Sequence, residues 1–129
     1  MYNNDNLGLQ SACGEDHPPC YRNLLEEIAF GGDKSPHQTV PIAQGVEARL
    51  VAAIRSQGDQ WSLFLNGNQP NWPLITISGH SQGSQVALFL SYNRPCDRAA
   101  IFGGPNFWYD SEKANYLEDE AQERATPAD

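Results

Sequence analysis

Gly79-His80-Ser81-Gln82-Gly83 is the stretch of this sequence best suited to covalent chemistry. The apolar run Leu74-Ile75-Thr76-Ile77-Ser78 precedes it, and Val86-Ala87-Leu88-Phe89-Leu90 follows. Strand, G-x-S-x-G and helix in that order make a nucleophile elbow, which lifts a serine hydroxyl out of a sheet on a sharp, strained turn. Ser81 in that place is built to attack a carbonyl carbon. Gly79 and Gly83 leave room where strand and helix backbones pass too close for side chains. The backbone N–H of Gln82 opens the helix and can point at a developing oxyanion.

Several elements have to position that turn. The near-continuous apolar character of residues 74–78 predicts a strand buried on both faces, as in a parallel sheet. A helix should run from Gln82 to about Tyr92, ending at Asn93 with Pro95 as a stop. Ala99-Ala100-Ile101-Phe102 reads as the next strand, and Gly103-Gly104-Pro105 turns the chain after it. Strand, helix and strand in succession make a crossover, so the two strands are expected as parallel neighbours.

Upstream, a helix begins at Pro19, with Tyr21, Leu24, Leu25 and Ile28 as its apolar stripe and Glu26 and Glu27 facing out. Gly31-Gly32 ends it. A second helix runs from Pro41 or Gln44 to Gln57, with Val46, Leu50, Ala53 and Ile54 on one face, and Gly58 stops it. Trp61, Leu63, Phe64 and Leu65 form an apolar cluster, closed by the turn-rich Asn66-Gly67-Asn68-Gln69-Pro70-Asn71. Trp61 and Trp72 are expected as core and lid packing. Residues 1–18 read as an irregular N-terminal segment, and residues 112–124 as charged, helix-permissive and solvent-facing. No internal repeat is visible.

With 129 residues, 40% of them hydrophobic, the chain forms at most one domain with a modest core. Its formal charge of −8 argues against a nucleic-acid partner and an anionic membrane surface. No run approaches the roughly 18 apolar residues that a membrane span requires. No pair of charged n-region and apolar h-region is visible after Met1, so these residues are not expected to act as an export signal.

Cys13 and Cys20 could close a small loop as a disulfide in an oxidising compartment, or stand as two thiols in a reducing one. His17 lies between them, but the C-x6-C spacing is not that of a zinc finger and a fourth ligand is lacking nearby. No metal and no organic cofactor is assigned.

The run Trp72-Pro73-Leu74-Ile75-Thr76-Ile77-Ser78-Gly79-His80-Ser81-Gln82-Gly83 resembles the elbow of α/β-hydrolase-fold serine hydrolases, in particular bacterial ones reading Gly-His-Ser-Gln-Gly. Cys20-Tyr21-Arg22-Asn23-Leu24, Ala29-Phe30-Gly31 and Ile101-Phe102-Gly103-Gly104-Pro105 are similar to that group as well. The resemblance spans roughly residues 13–129. It implies an α/β fold of parallel strands flanked by helices, Ser81 as nucleophile, and the Gln82 amide as half of an oxyanion hole. The substrate it implies is a small molecule with a carboxylic ester or related acyl bond.

Two features depart from that pattern. The fold's order is serine, acid, histidine, yet the histidines here are His17, His37 and His80, and none follows Ser81. His80 adjoins Ser81, where neighbouring side chains diverge, so it is expected as a packed or hydrogen-bonded neighbour of the turn. Asp110 follows the second strand, near where some hydrolases of the fold place their acid, although surface charge also explains it. The His-Gly-Gly type segment that commonly supplies the second oxyanion amide is not visible.

Two parallel strands and about three helices cannot cover both faces of a doubly wound sheet. Residues 19–129 are therefore expected to be the central part of a hydrolase domain. The front strands and the C-terminal histidine region would be missing, activity would be impaired, and association would serve to cover the sheet's open parts. Two other classes fit the same residues. One is a non-catalytic binding or interaction protein on this scaffold, favoured by the absent histidine. The other is an acyltransferase, which would exclude water and admit an alcohol or amine.

Overall fold

The computed structural model describes Cys13 and residues 18–104. Asp110, the charged stretch 112–124 and, of the segment 1–18 read as irregular, every residue but Cys13 and Pro18 (His17 among them) lie outside the described residues; Pro18 already belongs to a helix. The described chain is mixed α/β. It runs α1 (Pro18–Phe30), a 3₁₀ turn (Ile42–Gln44), α2 (Val46–Ser56) and a second 3₁₀ segment (Asp59–Phe64). A two-residue hairpin, β1 (Leu65–Asn66) and β2 (Gln69–Pro70), comes next, then a 3₁₀ turn (Trp72–Leu74). The chain continues through β3 (Thr76–His80), α3 (Gln82–Asn93) and β4 (Arg98–Phe102).

β3 and β4 pair in parallel, with Thr76 opposite Arg98 and His80 opposite Phe102. The connection between them is α3, which packs on both strands, while α1 packs on α3 and α2 on α1. The helices thus form a stack over one side of the sheet. α3, in the middle, buries Ser84, Gln85, Ala87, Phe89, Leu90 and Ser91. A helix between two layers needs apolar or small residues on most sides rather than one stripe. Tyr21, Leu24, Leu25 and Ala29 of α1 meet Phe89 and Leu90 in the core, with Trp72, Cys13 and Cys96 beside them. Arg94, just past α3, pairs with Glu47 of α2 at 2.6 Å and lies 4.2 Å over the Phe30 ring, so one side chain joins three elements.

Several expectations need correction. β3 is not buried on both faces: Thr76, Ser78 and His80 are exposed, and only Ile77 and Gly79 turn toward α3. The register puts Arg98 and Phe102 on that same open side, and Phe102 is 57% exposed. Apolar side chains alone do not reveal the second face's fate, because covering it takes elements beyond the two strands. On α2 the buried residues are Val51 and Ile54, while Ala53 is exposed. A residue as small as alanine carries little hydrophobic driving force to fix a face.

Trp72 is buried as expected, whereas Trp61 and Leu63 are exposed, Trp61 resting against the Phe64 ring at 5.5 Å. Leu65 of the apolar cluster and the residues read only as a turn together form the β1–β2 hairpin around Gly67, whose φ is 62°. No helix among the described residues is long and apolar enough to cross a membrane.

Glu27 departs furthest from its expected place. It is fully buried rather than facing out. Its Oε2 accepts N–H groups from Lys34 at 3.1 Å and Ser35 at 2.7 Å, and its Oε1 accepts that of Val40 at 2.6 Å. A carboxylate can leave water when several donors replace it. The loop over residues 31–40 is thereby fastened to α1, and Gly32 closes it by donating to the Val40 carbonyl at 2.7 Å. Gly31, with φ 76°, begins this loop where a Cβ would strike the backbone of Ile42.

Candidate active site

Ser81 sits between β3 and α3 with φ 52° and ψ −120°. Among the described residues it is the one non-glycine residue with positive φ. Such a conformation costs on the order of 1–3 kcal/mol and persists only where the surroundings over-determine it. Here they do. The Ser81 N–H donates to the Phe102 carbonyl at 2.9 Å, so the end of β4 holds the turn from one side. Its carbonyl accepts the Ser84 N–H at 3.0 Å and the Ser84 hydroxyl as well. Ser84 is itself fully buried. The backbone is clamped while the side chain stays exposed, and no hydrogen bond engages the Ser81 hydroxyl among the described residues.

The two glycines of the motif turn out to differ. A Cβ on Gly79 would fall onto the backbone of Gly83 and within 2.7 Å of the Ser84 nitrogen. Strand and helix therefore touch backbone to backbone at Gly79. A Cβ on Gly83 would meet nothing within 4 Å. The close approach was legible in the spacing, but only Gly79 is required by it.

Gln82 is exposed and opens α3. In the first turn of a helix the N–H groups have no intrahelical acceptor. Its amide donates to no backbone group among the described residues, which leaves it available to an anionic oxygen beside Ser81. His80 is exposed at the end of β3. Its ring flanks Gly103, where a Cβ would lie 3.3 Å from Nε2.

Behind the elbow, one helical turn beyond Ser81, the buried Gln85 carbonyl accepts the Tyr21 hydroxyl. Burial pushes the Tyr21 phenol up from its ordinary value. This pair ties α1 to the helix that carries the turn. The sequence hinted at it only through a glutamine inside an otherwise apolar or small helix face. Glu27 gave no such hint, because the amides it accepts lie in the loop at residues 34, 35 and 40.

The arrangement defines a class, namely a mixed α/β chain whose parallel strand–turn–helix unit presents one serine on a strained turn. No family model matches the sequence, and no curated protein or solved structure is significantly similar to it.

Proposed function

We propose that this chain carries the nucleophile elbow of an α/β-hydrolase-fold serine hydrolase acting on a carboxylic ester or related acyl bond. The observation supporting this most directly is the backbone of Ser81, positive in φ at a strand–helix junction with its hydroxyl in solvent. A fold has no structural reason to place a strained non-glycine residue there, since glycine would fit at lower cost.

In this reading Ser81 Oγ attacks the acyl carbon while a base removes its proton. The Gln82 N–H donates to the oxyanion, and collapse of the tetrahedral intermediate expels the alcohol, which takes up the base's proton, and leaves acyl-Ser81, which water then hydrolyses. No metal or organic cofactor enters these steps. Because no histidine follows Ser81 in residues 1–129, the base of a full triad would have to come from elsewhere. Lacking its base, such a site works several powers of ten below a complete one. An acyltransferase would use the same Ser81 intermediate with an alcohol or amine in place of water.

A fluorophosphonate probe followed by intact mass tests the proposal. Slow labelling of the folded chain at one site is expected, with none in Ser81→Ala and circular dichroism confirming that both are folded. A folded chain that stays unlabelled overturns the reading. It would favour a non-catalytic binding protein, for which the unengaged Ser81 hydroxyl is the motivating observation.

A further inference from the structure

Cys13 and Cys20 are joined as a disulfide with Cα atoms 5.9 Å apart. The loop that Glu27 fastens brings His37 to the same place. One ring nitrogen of His37 and the two sulfurs all lie within 4.8 Å of one another. Cys13 is buried, Cys20 half-buried, and His37 exposed at the rim. The sequence gives no reason to join His37 to these cysteines, since it lies 17 residues beyond Cys20 and outside any motif spacing.

We propose that this cluster is a redox-gated metal site, a disulfide when oxidised and a Cys2His site for zinc or a similar borderline-soft divalent cation when reduced. Tetrahedral zinc takes thiolate at about 2.3 Å and imidazole at about 2.0 Å, which sets neighbouring donor atoms roughly 3.5 Å apart. Opening the sulfur–sulfur bond to that separation is a small displacement when the two Cα atoms already stand 5.9 Å apart.

His37 does not dangle. Its N–H donates to Ser35 Oγ at 3.2 Å, and the Ser35 N–H donates to buried Glu27. The next residue, Gln38, donates from its amide to the Leu24 carbonyl at 3.1 Å. The backbone N–H of His37 and the side chain of Gln38 thus anchor the segment that carries the imidazole.

The chemistry balances with a dithiol reductant. Two electrons and two protons from the dithiol convert the disulfide to two thiols, and the reductant closes to its own disulfide. Binding M2+ then releases both thiol protons to solvent, and neutral His37 supplies the third ligand. Water fills the open fourth position. The link between residue 13 and α1 would then survive in either redox environment, and the metal form would add the 31–40 loop to it.

The test uses the full chain, reduced anaerobically with a dithiol, desalted, titrated with Co2+ and then displaced with Zn2+. One equivalent of Co2+ with thiolate charge-transfer absorption is expected in the reduced chain, and none in the oxidised chain. His37→Ala should weaken binding by about tenfold or more, and His37→Cys should restore it with stronger charge transfer. Binding by His37→Ala equal to the parent overturns the proposal, because two thiols alone would then explain it. Equal binding by oxidised and reduced chains overturns it too, as does failure of the reduced chain to bind one equivalent.

Discussion

Around Glu27 a buried carboxylate gathers three backbone amides, a disulfide closes nearby, and the loop between α1 and α2 is fixed by side chains. Around Ser81 the reverse holds. The turn is gripped by backbone carbonyls and amides, its side chains face solvent, and one face of the β3–β4 sheet is open. Anchoring by a buried charge gives strength that depends on a single side chain. Anchoring by backbone gives a strained residue no freedom to relax, yet leaves its hydroxyl free to react. The first region is arranged for stability and the second gives some stability up.

The largest expected effect lies in the anchor. Glu27→Ala removes the acceptor of three amides, two of them on the buried residues Ser35 and Val40. Leaving buried donors unpaired costs about 3–5 kcal/mol in total, to be read from the urea midpoint at constant slope. Ser81 labelling should fall only in proportion to the unfolded fraction. If the folded variant also lost its labelling, the two regions would not be independent and the contrast between them would collapse.

Next comes a pair of substitutions within the elbow itself. Gly79→Ala forces a methyl into the Gly83 backbone, and overpacking of this kind costs about 3 kcal/mol. It should also push the start of α3 away and abolish labelling at Ser81. Gly83→Ala meets open space in the first turn of a helix, where alanine gains about 0.5–1 kcal/mol over glycine. Thermal melts of the two variants should move in opposite directions. Equal losses would mean that both faces of the turn are crowded.

What the sequence revealed follows this same division. The Leu74–Ser78 run, the G-x-S-x-G spacing and Pro95 announced strand, turn and helix, because local sterics write themselves into local spacing. The parallel partner followed from the crossover that α3 makes to β4. Glu27, by contrast, reads as a surface residue, since a charge inside a helix is usually solvated. Its burial depends on amides up to 13 residues further along, which no helical period encodes. His37 was hidden for the same reason, and so was the open face of β3, whose exposure depends on what does not pack there.

Strain at the elbow gives a smaller effect of opposite sign. Ser81→Gly keeps φ 52° at no steric cost, so the variant should be more stable by about 1–2 kcal/mol. It should be inert to the fluorophosphonate probe. A gain in stability paired with loss of reactivity is the signature of a turn kept strained for chemistry. If Ser81→Gly were destabilised, the conformation would be structural and the proposed role of Ser81 would lose its main support.

The smallest effect concerns the link between the two regions, the Tyr21 hydroxyl on Gln85. Tyr21→Phe leaves the buried Gln85 carbonyl without that donor, at a cost of about 1 kcal/mol near neutral pH. The pH dependence has a definite sign. Burial raises the folded-state pKa of Tyr21 above the ordinary value near 10, so above that pH the unfolded chain loses this proton more readily than the folded one. The associated stability is fully present below about pH 10 and is lost as pH rises toward the folded-state value. Phenylalanine has no such proton to lose. The gap in unfolding free energy between parent and Tyr21→Phe should therefore be constant from pH 6 to about 9 and narrow above about pH 10. A gap that stayed constant into the alkaline range would mean that Tyr21 ionises equally in both states. The joint between α1 and the elbow helix would then be wet rather than buried.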